Sequence, residues 1–446
     1  MKTLFSTRQA ICSAIFALFC LFSVSLNTLQ AQKPKETIFQ QPANQQNVPQ
    51  VTPPQSPSTQ ATVSNTAAPI YPREAYTFVP VNIGFVPPLS IGNIVQASTG
   101  KRVVSNISFH FLGNVSNALE GVEWSGIWNV QSDYVLGVQA AGIVNIVGGN
   151  AGYAQGAGIG NIVGGKFEGG QGAGIFNIAE GGLAGVQGAG IFNITGNADG
   201  VQGAGIFNSA DNLRGVQGAG IVNFADNVQG GQWAGIGNFA RDVEGVQFAA
   251  IFNSAKKVRG VQVGLVNIAE DNEDVMIGLV NFNAKHGIRI EMATDEMRFI
   301  RAGLRTGNKA WYSLFTGGLQ PFTGVVLWSV GYGLGTQLYL GQRDYIDFSL
   351  HTETMFNTAT NRGIFVNAQA GRLRVLFGHD FAPRFSVFLG PTLNIMAGVE
   401  NNPVYELATN LFPGGGYIAT ANNINWNGIQ NAWLRSWVGI TGGFRF

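Results

Sequence analysis

The last twelve residues, RSWVGITGGFRF (Arg435–Phe446), put Val438, Ile440, Phe444 and Phe446 on one face of an extended chain, with phenylalanine as the final residue. Side chains alternate across a strand, so an apolar period of two marks one apolar and one polar face. The same period runs back to about residue 286. In YIDFSLHTETMF (345–356), Ile346, Phe348 and Leu350 alternate with Asp347, Ser349, His351 and Glu353. In RFSVFLGPTLNI (384–395), Phe385, Val387, Leu389, Leu393 and Ile395 alternate with Arg384, Ser386, Thr392 and Asn394. VLWSVGYGLGTQLYL (326–340) sets Trp328, Val330, Tyr332, Leu334, Leu338 and Leu340 against Ser329, small glycines and Gln337.

Long strands with one apolar face are the pattern of a transmembrane β-barrel, apolar outside and polar within. A soluble sandwich shows a similar alternation. Strand length and aromatics near strand ends (Trp311, Tyr312, Trp328, Tyr339, Trp437) favour the barrel. The fold class read here is all-β, an antiparallel outer-membrane β-barrel whose C-terminal strands occupy residues 286–446. Upstream, FVPVNIGFV (78–86) and VSNISFHFL (104–112) alternate in the same way and read as the barrel's first hairpin. Pairing of first and last strands would leave no open edge.

Between these segments the chain repeats. Aligned on one asparagine, the units are marked by Asn129, Asn145, Asn161, Asn177, Asn193, Asn208, Asn223, Asn238, Asn253, Asn267 and Asn281. The spacing is 16 four times, 15 four times, then 14 twice. A glutamine stands six positions earlier, from Gln139 to Gln247; at Gln262 the interval falls to five, which a lost β-bulge would explain. Glycine is 62 of 446 residues and flanks alanine in GVQGAGIFN, which disfavours helix. Asp211-Asn212, Asp226-Asn227 and Asp271-Asn272 sit where tight turns are needed. Residues 71–285, the first strands and these glycine-rich repeats of about 15 residues, fit two arrangements. One is a meander of strands within the barrel, of about 18–20 strands in all. The other is a β-solenoid with stacked Asn and Gln ladders. Blockwise lengths suit stacking; the small perimeter of such a coil favours the meander.

The N-terminus has a different character. Lys2 and Arg8 precede the apolar run Ala10–Val24, with Ala31-Gln32 as one expected cleavage point and Ser23-Val24-Ser25 as a second, so residues 1–31 read as a secretory signal peptide. Both cysteines, Cys12 and Cys20, lie within it, which leaves the mature chain without disulfide or thiol chemistry. Residues 32–70 are a Pro/Gln/Ser/Thr-rich linker too poor in large apolar groups to fold. The formal net charge is only +1, without the basic footprint of a nucleic-acid partner.

Chemistry is sparse. His110, His286, His351 and His379 show no zinc-ligand spacing. Ser349, His351 and Glu353 share a strand face, but at about 7 Å per two residues they are too far apart for a triad. They read as lumen lining. His379-Asp380 lies beside a turn and reads as structural. The GxG elements of GGNAGYAQGAGIGN lack the helix that a phosphate loop needs. Arg372 and Arg374, with Arg384 nearby, either bias a pore toward anions or pair with carboxylates such as Asp347 or Glu353. No catalytic, cofactor or metal residues are assigned.

The motifs GVQVGLVNIA (260–269), GLVNFN (278–283) and repeated GVQGAGIFN resemble the surface-repeat proteins of Leptospira and the Bacteroidetes, over roughly residues 78–320. The repeats here are richer in glycine than the usual GLxN pattern. The terminal strand resembles the C-terminal assembly signal of bacterial outer-membrane barrels. These resemblances imply outer-membrane or cell-surface location, export through a cleaved signal peptide, and partners in outer-membrane lipid and the barrel-assembly machinery. They imply no enzymatic activity. The leading expectation is therefore a non-enzymatic surface-repeat protein with a structural, adhesive or host-facing role and an unidentified surface ligand. A porin-like pore or transporter is the alternative, and a hydrolase using His351 or His379 a remote third.

Overall fold

The computed structural model describes residues 72–446, except 88, 273, 321–325, 360–362, 400–403, 405–415 and 427–428. The expected signal peptide and linker lie outside the described residues. Two β architectures share what is described, a parallel coil stack followed by an antiparallel barrel.

The coil stack runs from β1 (Tyr76–Gly84) to β19 (Val280–Asn283), and all its pairings are parallel. Each residue pairs with its equivalent one repeat later, so Asn208 stands over Asn223 and Gln217 over Gln232. This is the solenoid arrangement; the repeats are not a meander and add no strands to the barrel. Matching perimeters explain the blocks of constant repeat length, since neighbouring coils must close with equal circumference.

One coil shows how the sequence turns. In Asn208–Ala219, the residues Asn208, Ala210, Leu213 and Gln217 are buried, while Asp211 and Asn212 both face outward. Two successive outward residues bend the chain, so the Asp-Asn pairs do mark a corner. The second corner is Gly220-Ile221, ahead of inward Asn223. Ile191, at that second corner in an earlier coil, faces solvent rather than sharing the inward direction of Asn193. The shortening near Gln262 also falls here: Gly264-Leu265 follows Val263 directly, so the residue is lost at a corner and not from a bulge. Between the corners lies a thin core in which a large ring such as Phe167 is the exception. It is filled by small apolar groups such as Ala210, Leu213, Ala225 and Val228, together with two amide columns.

Glycine is obligatory in one column of the stack. Gly215 adopts φ 133°, and a Cβ there would overlap the carbonyl of Gly200 in the preceding coil. Gly185, Gly200, Gly230, Gly245 and Gly260 repeat that geometry.

The segments expected to form the barrel's first hairpin belong to the solenoid instead. β1 and β2 (Arg102–His110) pair in parallel, joined by helix α1 (Ile91–Thr99). Ser90 caps α1 by accepting from the Asn93 amide, and Gly100 ends it in the left-handed region. The alternation of these strands is real, but their polar face (Asn82, Ser108, His110) lines a solenoid core.

The barrel comprises β20 (Arg289–Asp295), β21 (Arg298–Gly307), β22 (Tyr312–Gln320), β23 (Leu327–Tyr339), β24 (Asp344–Ala359), β25 (Gly363–Ala382), β26 (Phe385–Val399) and β28 (Ile429–Arg445). Each pairs antiparallel with the next, and β20 pairs with β28, closing an eight-stranded barrel. β27 (Tyr417–Trp426) adds to the distal part of β28, beyond its pairing with β20.

A Gly215→Ala variant should be destabilised by at least about 2 kcal/mol, from positive-φ strain and the carbonyl overlap. A Gly218→Ala variant, where a Cβ meets nothing within 4 Å, should change stability by less than about 0.5 kcal/mol. Urea unfolding of the full chain in detergent, followed by circular dichroism, compares them; equal losses would contradict the close-approach account.

Candidate functional site

Three features distinguish the molecule: the barrel lumen, its outer wall, and the end groups of the solenoid's amide columns.

The lumen is ionic. Glu291 accepts from Arg374 at 2.7 Å and Arg445 at 2.9 Å, with Arg301 at 3.5 Å. Asp347 lies 3.2 Å from Arg305 and 3.0 Å from Arg445, and accepts from the Tyr312 hydroxyl at 2.5 Å. Glu353 pairs with Arg298 and lies 3.7 Å from Arg301. Asp295 pairs with Arg372 at 2.5 Å and Arg298 at 3.3 Å. Arginines 372 and 374 do meet lumen carboxylates, but Asp295 and Glu291 rather than Asp347 and Glu353. Arg384 lies in the exposed turn between β25 and β26 and does not join them.

The remaining sequence candidates are dispersed. Ser349, His351 and Glu353 all face the lumen and are buried. Ser349 Oγ accepts from Arg374 Nε at 3.0 Å, and Glu353 is committed to arginines. His351 packs where a Cβ on Gly333 would strike its ring. His379 Nδ1 lies 2.7 Å from Asp344 at an exposed end, and Asp380 accepts from the Tyr339 hydroxyl at 2.9 Å. Glu291, Asp295, Arg298, Arg301, Arg305 and Arg445 went unnoticed in the sequence. Their signal was Glu291/Asp295 and Arg301/Arg305, each pair four apart and therefore on one face of a strand.

Past the ionic layer the lumen becomes apolar. Met297, Met355, Met396, Trp433 and Trp437 pack together, and Trp437 Nε1 donates to Glu296 at 2.8 Å. Tyr312 and Trp437 thus point inward and are not wall aromatics. At the opposite mouth, the cleft between His286, Arg305, Asn308 and Gln337 has about 10 Å³, the space of one water. An eight-stranded barrel is just wide enough for side chains to fill, and these residues fill it.

The outer wall is apolar. Leu350, Phe377, Leu389, Val438, Ile440 and Phe446 are all exposed. On β26 the exposed apolar positions run from Phe385 to Ile395. Ten steps of ~3.4 Å tilted by ~40° make about 26 Å, the height of a lipid-facing belt.

In the solenoid the amides of each column all point one way. Asn129 Nδ2 donates to Asn145 Oδ1 at 2.8 Å, and the sense persists through Asn267 to Asn281. The other amide hydrogen crosses the core, as from Asn145 to the Gly156 carbonyl at 2.9 Å. The glutamines run in the opposite sense: Gln155 donates to Gln139 at 2.7 Å, and so on to Gln262. That column ends at Glu123, which occupies a glutamine position and accepts from Gln139 (2.7 Å), Gln131 (2.9 Å), Asn114 (2.6 Å) and Ser108 (3.1 Å). Burial pushes the Glu123 carboxyl up, against the downward pull of those four donors. Burial also lowers His110, beside Ser108, to about 4.

The asparagine column ends on the barrel. Asn281 Nδ2 donates to Ser313 Oγ at 2.8 Å, and Ser313 donates to the Gly278 carbonyl at 2.9 Å. Tyr332 reaches the same carbonyl at 2.7 Å, and Asn308 Nδ2 holds the carbonyls of Asn272 (2.9 Å) and Asp274 (2.7 Å). Among the described residues there is no cluster of three or more His, Cys, Asp or Glu arranged to hold a metal. Compared with protein-family models, with curated proteins and with solved structures, the chain has no match.

Glu291→Ala leaves buried Arg374 without its carboxylate and takes one partner each from Arg301 and Arg445, and should cost about 3–5 kcal/mol, read as a lower temperature for the folded-to-unfolded shift in gel migration. Glu123 supplies the second prediction. Its raised folded-state pKa means that the folded chain binds the proton more tightly than the unfolded chain. Its contribution is therefore largest at low pH and declines as pH rises through the carboxyl range. The melting temperature of the parent minus that of Glu123→Gln should fall from about pH 4 to about pH 8; a rising difference would refute the assignment.

Proposed function

We propose that this is a non-enzymatic outer-membrane protein in which the barrel is a closed anchor and the solenoid the working surface, with a structural or adhesive role. The observation that carries this reading is the inversion of the barrel. Apolar side chains cover its outside over the height of a hydrocarbon core, while four carboxylates and seven arginines are buried inside. A protein folded for water places these groups the other way round. The outward row ending in Phe446 supports export and assembly by the route that the terminal strand resembles.

The alternative of a pore draws support only from the barrel itself. Ion pairs fill the proximal lumen, and methionine and tryptophan fill the distal part. A hydrolase would need a free nucleophile beside a base, whereas Ser349 is buried and accepts a hydrogen bond from an arginine. The solenoid offers regularly spaced surface groups, such as the stacked rings of Phe176, Phe192 and Phe207, at 5.4 and 5.1 Å. Stacked rows of this kind suit an extended partner held along the coil axis.

Purified protein in a planar bilayer should add no ion conductance above the lipid baseline, while the protein itself fractionates with outer membranes. Stable channels would favour the pore reading; recovery in the soluble fraction would remove the anchor.

A further inference from the structure

We infer that the solenoid faces the periplasm rather than the cell exterior. The inference rests on the outer-membrane reading above and adds a direction to it.

Three observations carry it. First, the chain enters and leaves the barrel at the end that holds the solenoid. Ile290 and Phe446 exchange backbone hydrogen bonds of 2.8 and 3.0 Å, and the last solenoid coil is bonded to Asn308 and Ser313 at that same end.

Second, the two ends differ in their connections. At the solenoid end, strands are joined by residues 308–311, 340–343 and 383–384. At the other end the joins are 296–297, 321–326, 360–362 and the much longer 400–428, which contains β27. In outer-membrane barrels the short turns are periplasmic and the long loops extracellular.

Third, the apolar belt is not centred on the strands. β24 and β25 have 16 and 20 residues, well beyond the 9–11 that a span needs. Their outward apolar groups, Phe381, Phe377, Leu373 and Leu350, lie in the half nearer the solenoid. Farther out the same face carries Thr352, Thr354 and Gln369, and beyond them, among the described residues, only Phe356, whose ring stacks on outward Trp328 at 4.4 Å. The hairpin therefore projects past the belt on the side away from the solenoid, as extracellular hairpins do.

The consequence for function is specific. A solenoid on this side reaches envelope components beneath the outer membrane, and a host ligand reaches only the distal loops.

The sequence makes the test simple, because its only cysteines, Cys12 and Cys20, lie in the expected leader. The full chain is expressed in a Gram-negative host as Asp226→Cys, on the solenoid, or Thr420→Cys, on exposed β27. Intact cells are treated with a membrane-impermeant maleimide, and outer membranes are then isolated; the parent chain reports background. The expected result is labelling of Thr420→Cys on intact cells and of Asp226→Cys only after the outer membrane is opened, a difference of at least about tenfold. Labelling of Asp226→Cys on intact cells, with the protein in the outer membrane, would overturn the inference alone. Absence of the protein from outer membranes, or silence of both variants until the membrane is opened, would count against the anchor itself.

Discussion

The solenoid depends on one constraint, the thinness of its core. A coil of 14–16 residues with two corners encloses one or two apolar side chains per sheet, most of them small, far less than an ordinary hydrophobic core needs. Stability must come from contacts between coils. Backbone pairing supplies part, and the amide columns supply the rest. Each buried amide would cost several kcal/mol without partners, and each satisfied bond contributes about 1 kcal/mol net. In the asparagine column both hydrogens are used, one along the stack and one across the core. The second bond ties the two sheets together. The glycines follow from the same constraint, since coils this close leave no space for a Cβ at Gly215 or Gly220.

The barrel solves a comparable problem with charge. Eight strands enclose a lumen that must be filled, and its wall must be apolar if lipid is its solvent. Filling it with arginines and carboxylates satisfies polar groups internally and leaves the outside free of them. Buried ion pairs add little net stability over apolar packing, but removal of one partner is costly. A network in which Glu291, Asp295, Asp347 and Glu353 each meet at least two arginines therefore fixes strand register. A slip by one residue would turn those charges to the outside of the barrel.

Much of this was legible in the sequence. The apolar face of the last strand, its outward orientation and the repeat period are all found in the structure, and the change of sequence pattern near residue 286 falls between β19 and β20. The choice between meander and solenoid was not, because alternation along one strand is the same whether its neighbour runs parallel or antiparallel. The discriminating feature is the constancy of repeat length within blocks, which a meander does not require. The segments at 78–86 and 104–112 misled for the same reason: Ile107 and Phe109 face outward in a solenoid as they would in a barrel. The pairing of the lumen arginines depends on strand register, so Arg374 could be assigned a carboxylate partner but not Glu291 in particular. α1 lies in a stretch between strands whose capping serine, Ser90, gives only a local signal.

Column polarity also explains why the solenoid needs unlike ends. An amide column is a chain of donors and acceptors, so one end exposes a spare donor and the other a spare acceptor. The asparagine and glutamine columns run in opposite senses, so each end of the solenoid presents one of each. At the N-terminal end Glu123 absorbs the spare glutamine donor, its two oxygens together accepting from Gln139, Gln131, Asn114 and Ser108. At the C-terminal end Asn272 donates to the spare acceptor of Gln262, and Ser313 takes the spare donor of Asn281. Ser313 belongs to β22. The solenoid is thus terminated by the wall of the barrel, and the last hydrogen bond of its core is also a bond between the two parts of the molecule. Loss of Ser313 would leave a buried amide hydrogen without its acceptor at the junction of solenoid and barrel. That double use ties the stability of the final coil to its position against the barrel.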